Sequence, residues 1–177
     1  MLWTRVGYAG GQKTDPTYHD LGDHTEAFEV GYDPSKISYE RLLAEFWDGH
    51  SPAETAWSRQ YRSAIFVTTD AEREAAERSV VLAQKRLGRT VHTAVEEAGT
   101  FWQAEDYHQK YRLRRKGQVW QELSAAYPDV DDLVRSTAAA RLNAWVYDVG
   151  EVGQFDRELP TMGLSDDAQE QVRRMRR

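Results

Sequence analysis

The sequence predicts an α+β fold, a mostly antiparallel sheet with packed helices, followed by a helical C-terminal extension. Two patterns carry this prediction. Short segments of strand character alternate with amphipathic helical segments as far as Glu96, and after Ala104 the helical pattern continues almost without interruption. The predicted domains are an α+β core over residues 1–112 and a helical extension over residues 113–177.

The N-terminal segment predicts two strands. Residues 3–8 have the composition of a strand and end at a glycine turn, Gly10-Gly11. A polar loop over residues 12–25 follows, and residues 26–32 form the second predicted strand. We expect Asp33-Pro34 to terminate it, because proline cannot donate a backbone hydrogen bond.

Two helices and two more strands complete the predicted core. Ser38 is the expected N-cap of a helix that ends at Ser51-Pro52, with apolar residues at helical spacing: Tyr39, Leu42, Leu43, Phe46, Trp47 and His50. Asp70 is the expected cap of a second helix that stops at Gly88 and has an inner stripe of Ala76, Val80, Ala83 and Leu87. The strands are residues 63–68, buried on both faces, and residues 91–96. This order is typical of a ferredoxin-like two-layer core.

The extension is predicted to be helical. Its expected helices are residues 105–117, 120–127, 131–147 and 165–176, and the third carries Leu133, Val134 and Leu142. The glycines and Pro160 between Gly150 and Gly163 predict a loop there.

Composition restricts the function classes. Hydrophobic residues make up 40 % of the chain and the net charge is −6 without a basic stripe, so a core is expected and nucleic-acid binding is not. No apolar run has the length needed to span a bilayer. The chain has no cysteine, which excludes disulfides within it and fits a cytoplasmic protein. We expect a monomer.

Two weaker patterns in the N-terminal region predict no site. The cluster of His19, Asp20, Asp23 and His24 fits no metal-ligand template, so no metal site is expected. Gly7, Gly10 and Gly11 do not form a dinucleotide fingerprint, because no helix begins after them. The arginines at positions 173, 174, 176 and 177 are interpreted as the basic end of a terminal helix rather than as a binding patch.

Several motifs together resemble the type-A peptide-methionine sulfoxide reductases, which reduce the S-epimer of methionine sulfoxide. They are Gly7-Tyr8-Ala9-Gly10-Gly11, Asp15-Pro16-Thr17-Tyr18, His24-Thr25-Glu26-Ala27, Val30-Gly31-Tyr32-Asp33-Pro34, Gln60-Tyr61-Arg62-Ser63-Ala64-Ile65-Phe66 and Ala104-Glu105-Asp106-Tyr107-His108-Gln109. The resemblance covers Trp3 to about Tyr111, and the last motif has a structural role in it.

The resemblance implies a role for three residues. Glu26 falls on the position of the general acid, which protonates the departing sulfoxide oxygen. Tyr18 and Tyr61 fall on the two tyrosines whose hydroxyls hydrogen-bond that oxygen as it gains charge. It also implies oxidised proteins or free methionine sulfoxide as substrates, no bound cofactor, and an external thiol reductant such as thioredoxin.

The position of Glu26 gives an independent reason for the same role. Residues two apart share a face of a strand, so Glu26 lies on the face of Phe28, Val30 and Tyr32. We expect these apolar neighbours to desolvate the carboxyl and raise its pKa. The alternative is that Glu26 is an ordinary surface residue at a strand end, and that Tyr18 and Tyr61 are ordinary aromatics at loop edges.

The chain departs from the resembled family at two places. The residues before Tyr61, Thr55–Gln60, contain no aspartate where the family has a Gly-Asn-Asp segment. The Gly-Cys-Phe-Trp segment with the nucleophilic cysteine is also absent, so we expect one strand and one helix, on the order of 20 residues, to precede Met1 in a longer gene product. Two hypotheses follow: a reductase that obtains its cysteine from that segment, or a module that binds methionine sulfoxide without reducing it.

Overall fold

The computed structural model describes residues 1–176. The strands are Trp3–Ala9 (β1), Thr25–Gly31 (β2), Ala64–Val67 (β3), Ala94–Glu97 (β4) and Trp102–Gln103 (β5). The helices are Tyr39–Asp48 (α1), Asp70–Leu87 (α2), Tyr111–Arg114 (α3), Gly117–Ala126 (α4), Val130–Val134 (α5), Thr137–Trp145 (α6), Val152–Glu158 (α7) and Asp166–Met175 (α8). Short 3-10 turns occur at Arg59–Tyr61, Asp106–His108 and Leu159–Thr161.

The strands form two sheets, and the predicted α+β class is confirmed. One sheet has the order β2-β1-β5, and β1 pairs with β5 in antiparallel register with Gly7 opposite Gln103. In the other, β3 and β4 pair in parallel with Ala64 opposite Ala94, and α2 connects them. The sequence did not indicate β5, because two residues are too short to show a periodic pattern.

The described chain forms two compact units. The first, here called the sheet unit, consists of Val6–Phe28 and Asp33–Ala104. The second, here called the helical unit, consists of Met1–Arg5, Glu29–Tyr32 and the chain from Glu105 onward. The predicted domain boundary between residues 112 and 113 stays a prediction.

The core of the sheet unit is built from two groups of buried side chains. The larger group comes from α1, α2, β3 and the segment before β4, and it contains Leu43, Trp47, Ile65, Val67, Ala75, Ala76, Ala83 and Val91. The smaller group contains Tyr8, Leu21 and Ala104. The indole nitrogen of Trp47 donates to the Ser79 hydroxyl at 2.9 Å, which satisfies its one donor at the α1–α2 contact.

The predicted turn after β1 is confirmed. Gly10 has φ +75°, and a Cβ at this position would lie 2.5 Å from the Phe66 ring. Only glycine meets both conditions without strain. Two predicted boundaries in the sheet unit were wrong, because α1 ends at Asp48 rather than at Ser51-Pro52 and Thr69 rather than Asp70 caps α2. The predicted place of Leu87 on the inner stripe of α2 was also wrong, because Leu87 is exposed. The caps Ser38 and Gly88 are confirmed.

Strand β3 buries only one of its faces. Ile65 and Val67 are buried, while Ala64 and Phe66 are partly exposed, so the predicted burial on both faces was wrong. Two strands in one sheet are too few for helices to cover both faces completely.

The helical unit has its own core. Its fully buried side chains include Leu113, Val119, Leu142, Trp145 and Val172. None of the helices within residues 1–176 is long and apolar enough to cross a bilayer.

Two helical predictions and one loop prediction for this unit were wrong. Residues 105–117 are not one helix, because Lys110 has φ +50° and only Tyr111–Arg114 follows as α3. Residues 131–147 are divided at Ser136, whose hydroxyl accepts from the Ala139 amide at 3.0 Å and caps α6. The predicted loop between Gly150 and Gly163 contains α7, in which Phe155 is buried.

Candidate active site

The three predicted site residues meet in the sheet unit. Glu26 is the second residue of β2, Tyr18 lies in the loop that precedes this strand, and Tyr61 is the last residue of the 3-10 turn Arg59–Tyr61. Gln60, which was not among the predicted site residues, links Glu26 to Tyr61. Its side-chain Nε2 donates to Glu26 Oε1 at 2.7 Å and to the Tyr61 hydroxyl at 3.1 Å.

The two tyrosines are joined directly. Tyr61 and Tyr18 share a side-chain hydrogen bond, and this bond is the main reason that the pKa of Tyr61 is raised above its ordinary value of 10.0. Desolvation and the negative charge of Glu26 act in the same direction. Tyr61 therefore keeps its proton across the neutral range and remains a hydrogen-bond donor. We call Tyr18, Glu26, Gln60 and Tyr61 the hydroxyl–carboxyl cluster.

The predicted desolvation of Glu26 was wrong. Glu26 is exposed, and Phe28, which shares its strand face as predicted, is itself 63 % exposed. Strand periodicity correctly grouped the two side chains, but nothing within the described residues covers that face enough to bury them. The cluster is thus open to solvent and accessible to a ligand.

A network of buried and polar contacts holds the loop before β2. Asp23 Oδ1 accepts from the Gln12 and Lys13 amides at 2.8 and 3.2 Å, and these bonds lower the pKa of Asp23 below its ordinary value. His24 is buried, accepts from the Gly11 amide at Nδ1 and donates from Nε2 to the Lys13 carbonyl. These bonds give His24 and Asp23 structural roles, and residues 1–176 contain no group of three side chains arranged to hold a metal.

Two arginines fix the 3-10 turn against the start of β2. Arg59 donates to the carbonyls of Asp23 and Gly10 at 2.6 and 3.0 Å. Thr25 donates to the Arg59 carbonyl at 3.1 Å and accepts from Arg62 Nε at 2.8 Å. Since these contacts join the residues beside Glu26 to those beside Tyr61, they set the distance between carboxyl and hydroxyl.

Arg62 is oriented by Glu96 on β4. The two guanidinium nitrogens of Arg62 pair with both carboxylate oxygens, one of them at 2.6 Å, and this lowers the pKa of Glu96 below its ordinary value. Such two-point pairs have a fixed geometry. Gln60 and Arg62 flank Tyr61 in the same motif, but neither they nor Arg59 were predicted as site residues, because their contacts are with residues distant in the sequence.

One aromatic ring lies beside the cluster without being buried. Trp57 is 82 % exposed, and its ring centroid is 5.0 Å from that of Tyr61 with an interplanar angle of 39°. It lies in the segment in which the sequence departs from the resembled family.

Comparison with known proteins identifies the family. A family model described as "Peptide methionine sulfoxide reductase" matches residues 1–140. The chain is 38 % identical over 167 residues to a peptide methionine sulfoxide reductase of Drosophila melanogaster, covering 93 % of this chain and 67 % of that protein. The chain belongs to the peptide methionine sulfoxide reductase family. The resemblance predicted from the sequence motifs is thereby confirmed.

A further relative and a solved structure support the same family. Peptide methionine sulfoxide reductase A5 of Oryza sativa subsp. japonica is 41 % identical over 151 residues, which are 82 % of this chain and 59 % of the rice protein. The crystal structure of reduced Mxr1 from Saccharomyces cerevisiae matches with a TM-score of 0.59 at 27 % identity, covering 64 % of this chain and 70 % of Mxr1. The chain thus spans about three fifths of the length of the rice relative.

Proposed function

We propose that this chain binds and protonates the sulfoxide oxygen in the reduction of peptide methionine sulfoxide. The observation that supports this is the hydroxyl–carboxyl cluster, in which Gln60 joins the Glu26 carboxyl to the Tyr61 hydroxyl and Tyr61 shares a hydrogen bond with Tyr18. The two hydroxyls are donors for an oxygen that gains negative charge as its bond to sulfur weakens. Glu26 supplies the proton that this oxygen needs in order to leave.

The complete reaction requires a thiol. In a balanced step, the thiol R′–SH and the sulfoxide give the thioether and the sulfenic acid R′–SOH, so sulfur of the substrate is reduced and the thiol sulfur is oxidised. Because the 177 residues contain no cysteine, we propose that the thiol comes from outside them. Two external thiol groups, both from one dithiol of the thioredoxin type or one from each of two smaller thiols, then convert the sulfenic acid to thiol and water and become a disulfide.

The exposure of Glu26 fits this role once a substrate is bound. A peptide that covers the carboxyl displaces water from it, and a carboxyl in an apolar setting favours its protonated form. The substrates we propose are oxidised proteins and free methionine sulfoxide, processed by a cytoplasmic monomer without a bound cofactor.

Two measurements test this function. The purified 177-residue chain is expected to bind N-acetyl-L-methionine (S)-sulfoxide but not to reduce it with dithiothreitol as electron donor. The product of the longest open reading frame that contains this chain is expected to reduce it. Absence of binding would contradict the proposed oxygen site, and thiol-dependent turnover by the cysteine-free chain would contradict the external origin of the thiol.

The relatives named above are reductases, so a module that binds methionine sulfoxide without reducing it is not favoured. A matched pair of variants in the sheet unit tests the oxygen site that both hypotheses share, while turnover by the longer gene product distinguishes them. Tyr18→Phe is expected to weaken binding of the sulfoxide, whereas Leu82→Ala, on the exposed side of α2, is expected to leave it unchanged.

A further inference from the structure

The helical unit has an exposed cationic surface at α3. Five of the seven residues from Lys110 to Lys116 are cationic, in a chain whose net charge is −6. Arg112 and Arg115 are the exposed arginines of this run. Within residues 1–176 neither of them has a carboxylate partner, whereas Arg174 on α8 pairs with Glu170 at 3.1 Å. Positive charge is therefore left uncompensated at this surface.

Two tyrosines fix the positions of these guanidinium groups. The guanidinium carbon of Arg112 lies 3.9 Å from the ring centroid of Tyr147, which follows α6. The guanidinium of Arg115 lies 5.3 Å from the ring centroid of Tyr111 and donates to the Tyr111 hydroxyl at 2.9 Å. Because these contacts already order the two long side chains, an anion that binds them costs less conformational entropy. We call Tyr111, Arg112, Arg115 and Tyr147 the arginine–tyrosine patch.

The patch presents two planar groups of N–H donors side by side. Arg112 and Arg115 are three residues apart, a spacing that places side chains on the same face of a helical turn. A guanidinium that lies over an aromatic ring keeps the N–H donors in its own plane for a ligand, and this planar fork matches a carboxylate. The rings of Tyr111 and Tyr147 are 52 % and 43 % exposed, so the methylenes of a bound side chain can pack beside them.

We propose that the arginine–tyrosine patch binds an acidic segment of a polypeptide, with neighbouring carboxylates on Arg112 and Arg115. The choice of a polypeptide rests on the proposed function, in which oxidised proteins are the substrates. A nucleic acid suits the patch less well, because strands are held by longer tracks of cations and the net charge of −6 repels a long polyanion. Arg112 also covers one face of the Tyr147 ring, which removes that face from base stacking.

Binding of a methionine-free acidic peptide to the full 177-residue chain tests this. The probe is fluorescein-labelled hexaglutamate, followed by fluorescence anisotropy at low ionic strength. We expect saturable binding that weakens as salt is added, because salt screens exposed charges. Labelled hexaglutamine should not bind. The double substitution Arg112→Gln and Arg115→Gln should weaken binding of hexaglutamate roughly three- to ten-fold.

Matched variants separate a specific patch from general charge. Arg174→Gln removes the same charge from the same unit and should bind hexaglutamate as the parent does. Arg112→Lys keeps the charge but loses the planar fork, so it should lose part of the affinity. Arg115→Gln alone leaves the contact between Arg112 and Tyr147 intact and gives the same test if the double substitution disturbs folding.

Three results would overturn the patch. They are no saturable binding of hexaglutamate by the parent, an equal loss of affinity in Arg174→Gln and in the patch variants, and tighter binding of a six-residue oligothymidylate than of hexaglutamate. The last result would assign the surface to nucleic acid instead.

A sulfoxide probe distinguishes this inference from the function on which it rests. The patch variants should bind N-acetyl-L-methionine (S)-sulfoxide as the parent does, because the oxygen site lies in the sheet unit. If the parent binds the sulfoxide but not hexaglutamate, the patch is wrong and the proposed function stands. If the parent binds hexaglutamate but not the sulfoxide, the proposed function fails and the surface for acidic peptides stands without it.

Discussion

At the scale of single residues, the roles proposed for Glu26 and Tyr61 predict different losses of reduction rate. In a form of the protein that carries the thiol, Glu26→Gln should lower the single-turnover rate by roughly 10² to 10⁴ with little change in substrate binding, because glutamine keeps the shape but cannot transfer a proton. Tyr61→Phe should lower the single-turnover rate less, since the Tyr18 hydroxyl beside it would remain as a donor to the sulfoxide oxygen. Turnover by Glu26→Gln within a few-fold of the parent would remove Glu26 from the mechanism.

The contacts of Gln60 predict that it is a positioning residue rather than a reacting group. It bridges Glu26 and Tyr61 through one amide nitrogen, at 2.7 and 3.1 Å. Gln60→Met keeps a side chain of similar length but removes the donor, so we expect a lower rate and a broadened Tyr61 ring signal. Gln60→Glu should lower the rate further, because it places a second carboxylate beside Glu26. Equal rates for parent and Gln60→Met would contradict the positioning role.

At the scale of elements, the start of α3 contains a buried cation. Lys110 is buried in the helical unit, donates to the carbonyl and hydroxyl of Thr4, and has its pKa lowered by desolvation from 10.5 to about 8. In the unfolded chain the same group titrates near its ordinary value. Between pH 8 and 10.5 the unfolded state therefore binds more protons than the folded state, and the free energy of unfolding rises with pH.

The predicted consequence is a pH-dependent difference between parent and Lys110→Met. The contribution of Lys110 should increase by about 3 kcal/mol from pH 8 to 10.5, since one pKa unit corresponds to about 1.36 kcal/mol. Methionine does not titrate, so the variant should lack this rise. Urea unfolding at several pH values gives the free energy of unfolding of both proteins. If this free energy changed with pH equally in parent and variant, the lowered pKa of Lys110 would be contradicted.

A second element-scale prediction concerns the cap that divides the predicted long helix. Ser136 accepts from the Ala139 amide in a buried setting at the start of α6. Ser136→Ala should lower the free energy of unfolding by about 1 to 2 kcal/mol, whereas Ser38→Ala at the exposed start of α1 should cost less. The denaturant midpoints of the two variants show which substitution lowers the free energy of unfolding more, and a larger loss at Ser38 would contradict the prediction.

At the scale of the whole molecule, burial decides which apolar residues stabilise the fold. Leu142 is fully buried in the helical unit, while Leu82 is 65 % exposed on α2. The same leucine-to-alanine change should therefore lower the free energy of unfolding by about 2 to 5 kcal/mol at Leu142 and by far less at Leu82. Thermal or urea unfolding provides the comparison, and similar losses at both positions would contradict the described burial.

The sequence by itself determined what depends on neighbours along the chain. The serine cap at position 38, the amphipathic pattern of α1 and the glycine turn after β1 are local features, and the structure has them. Local spacing also placed Tyr18, Glu26 and Tyr61 in recognisable motifs, which is why the family was identifiable before the fold was known.

Only the tertiary structure decided what depends on contacts distant in the sequence. Strand alternation grouped Glu26 with Phe28 but could not say whether another element covers their face, and the structure leaves it exposed. The bridge from Gln60 to Glu26 spans 34 positions, and no local pattern encodes it. Likewise the positive φ of Lys110 divides a segment whose composition favours helix. In each case the free energy that fixes the arrangement comes from packing and hydrogen bonds between distant segments, so propensity along the chain does not contain it.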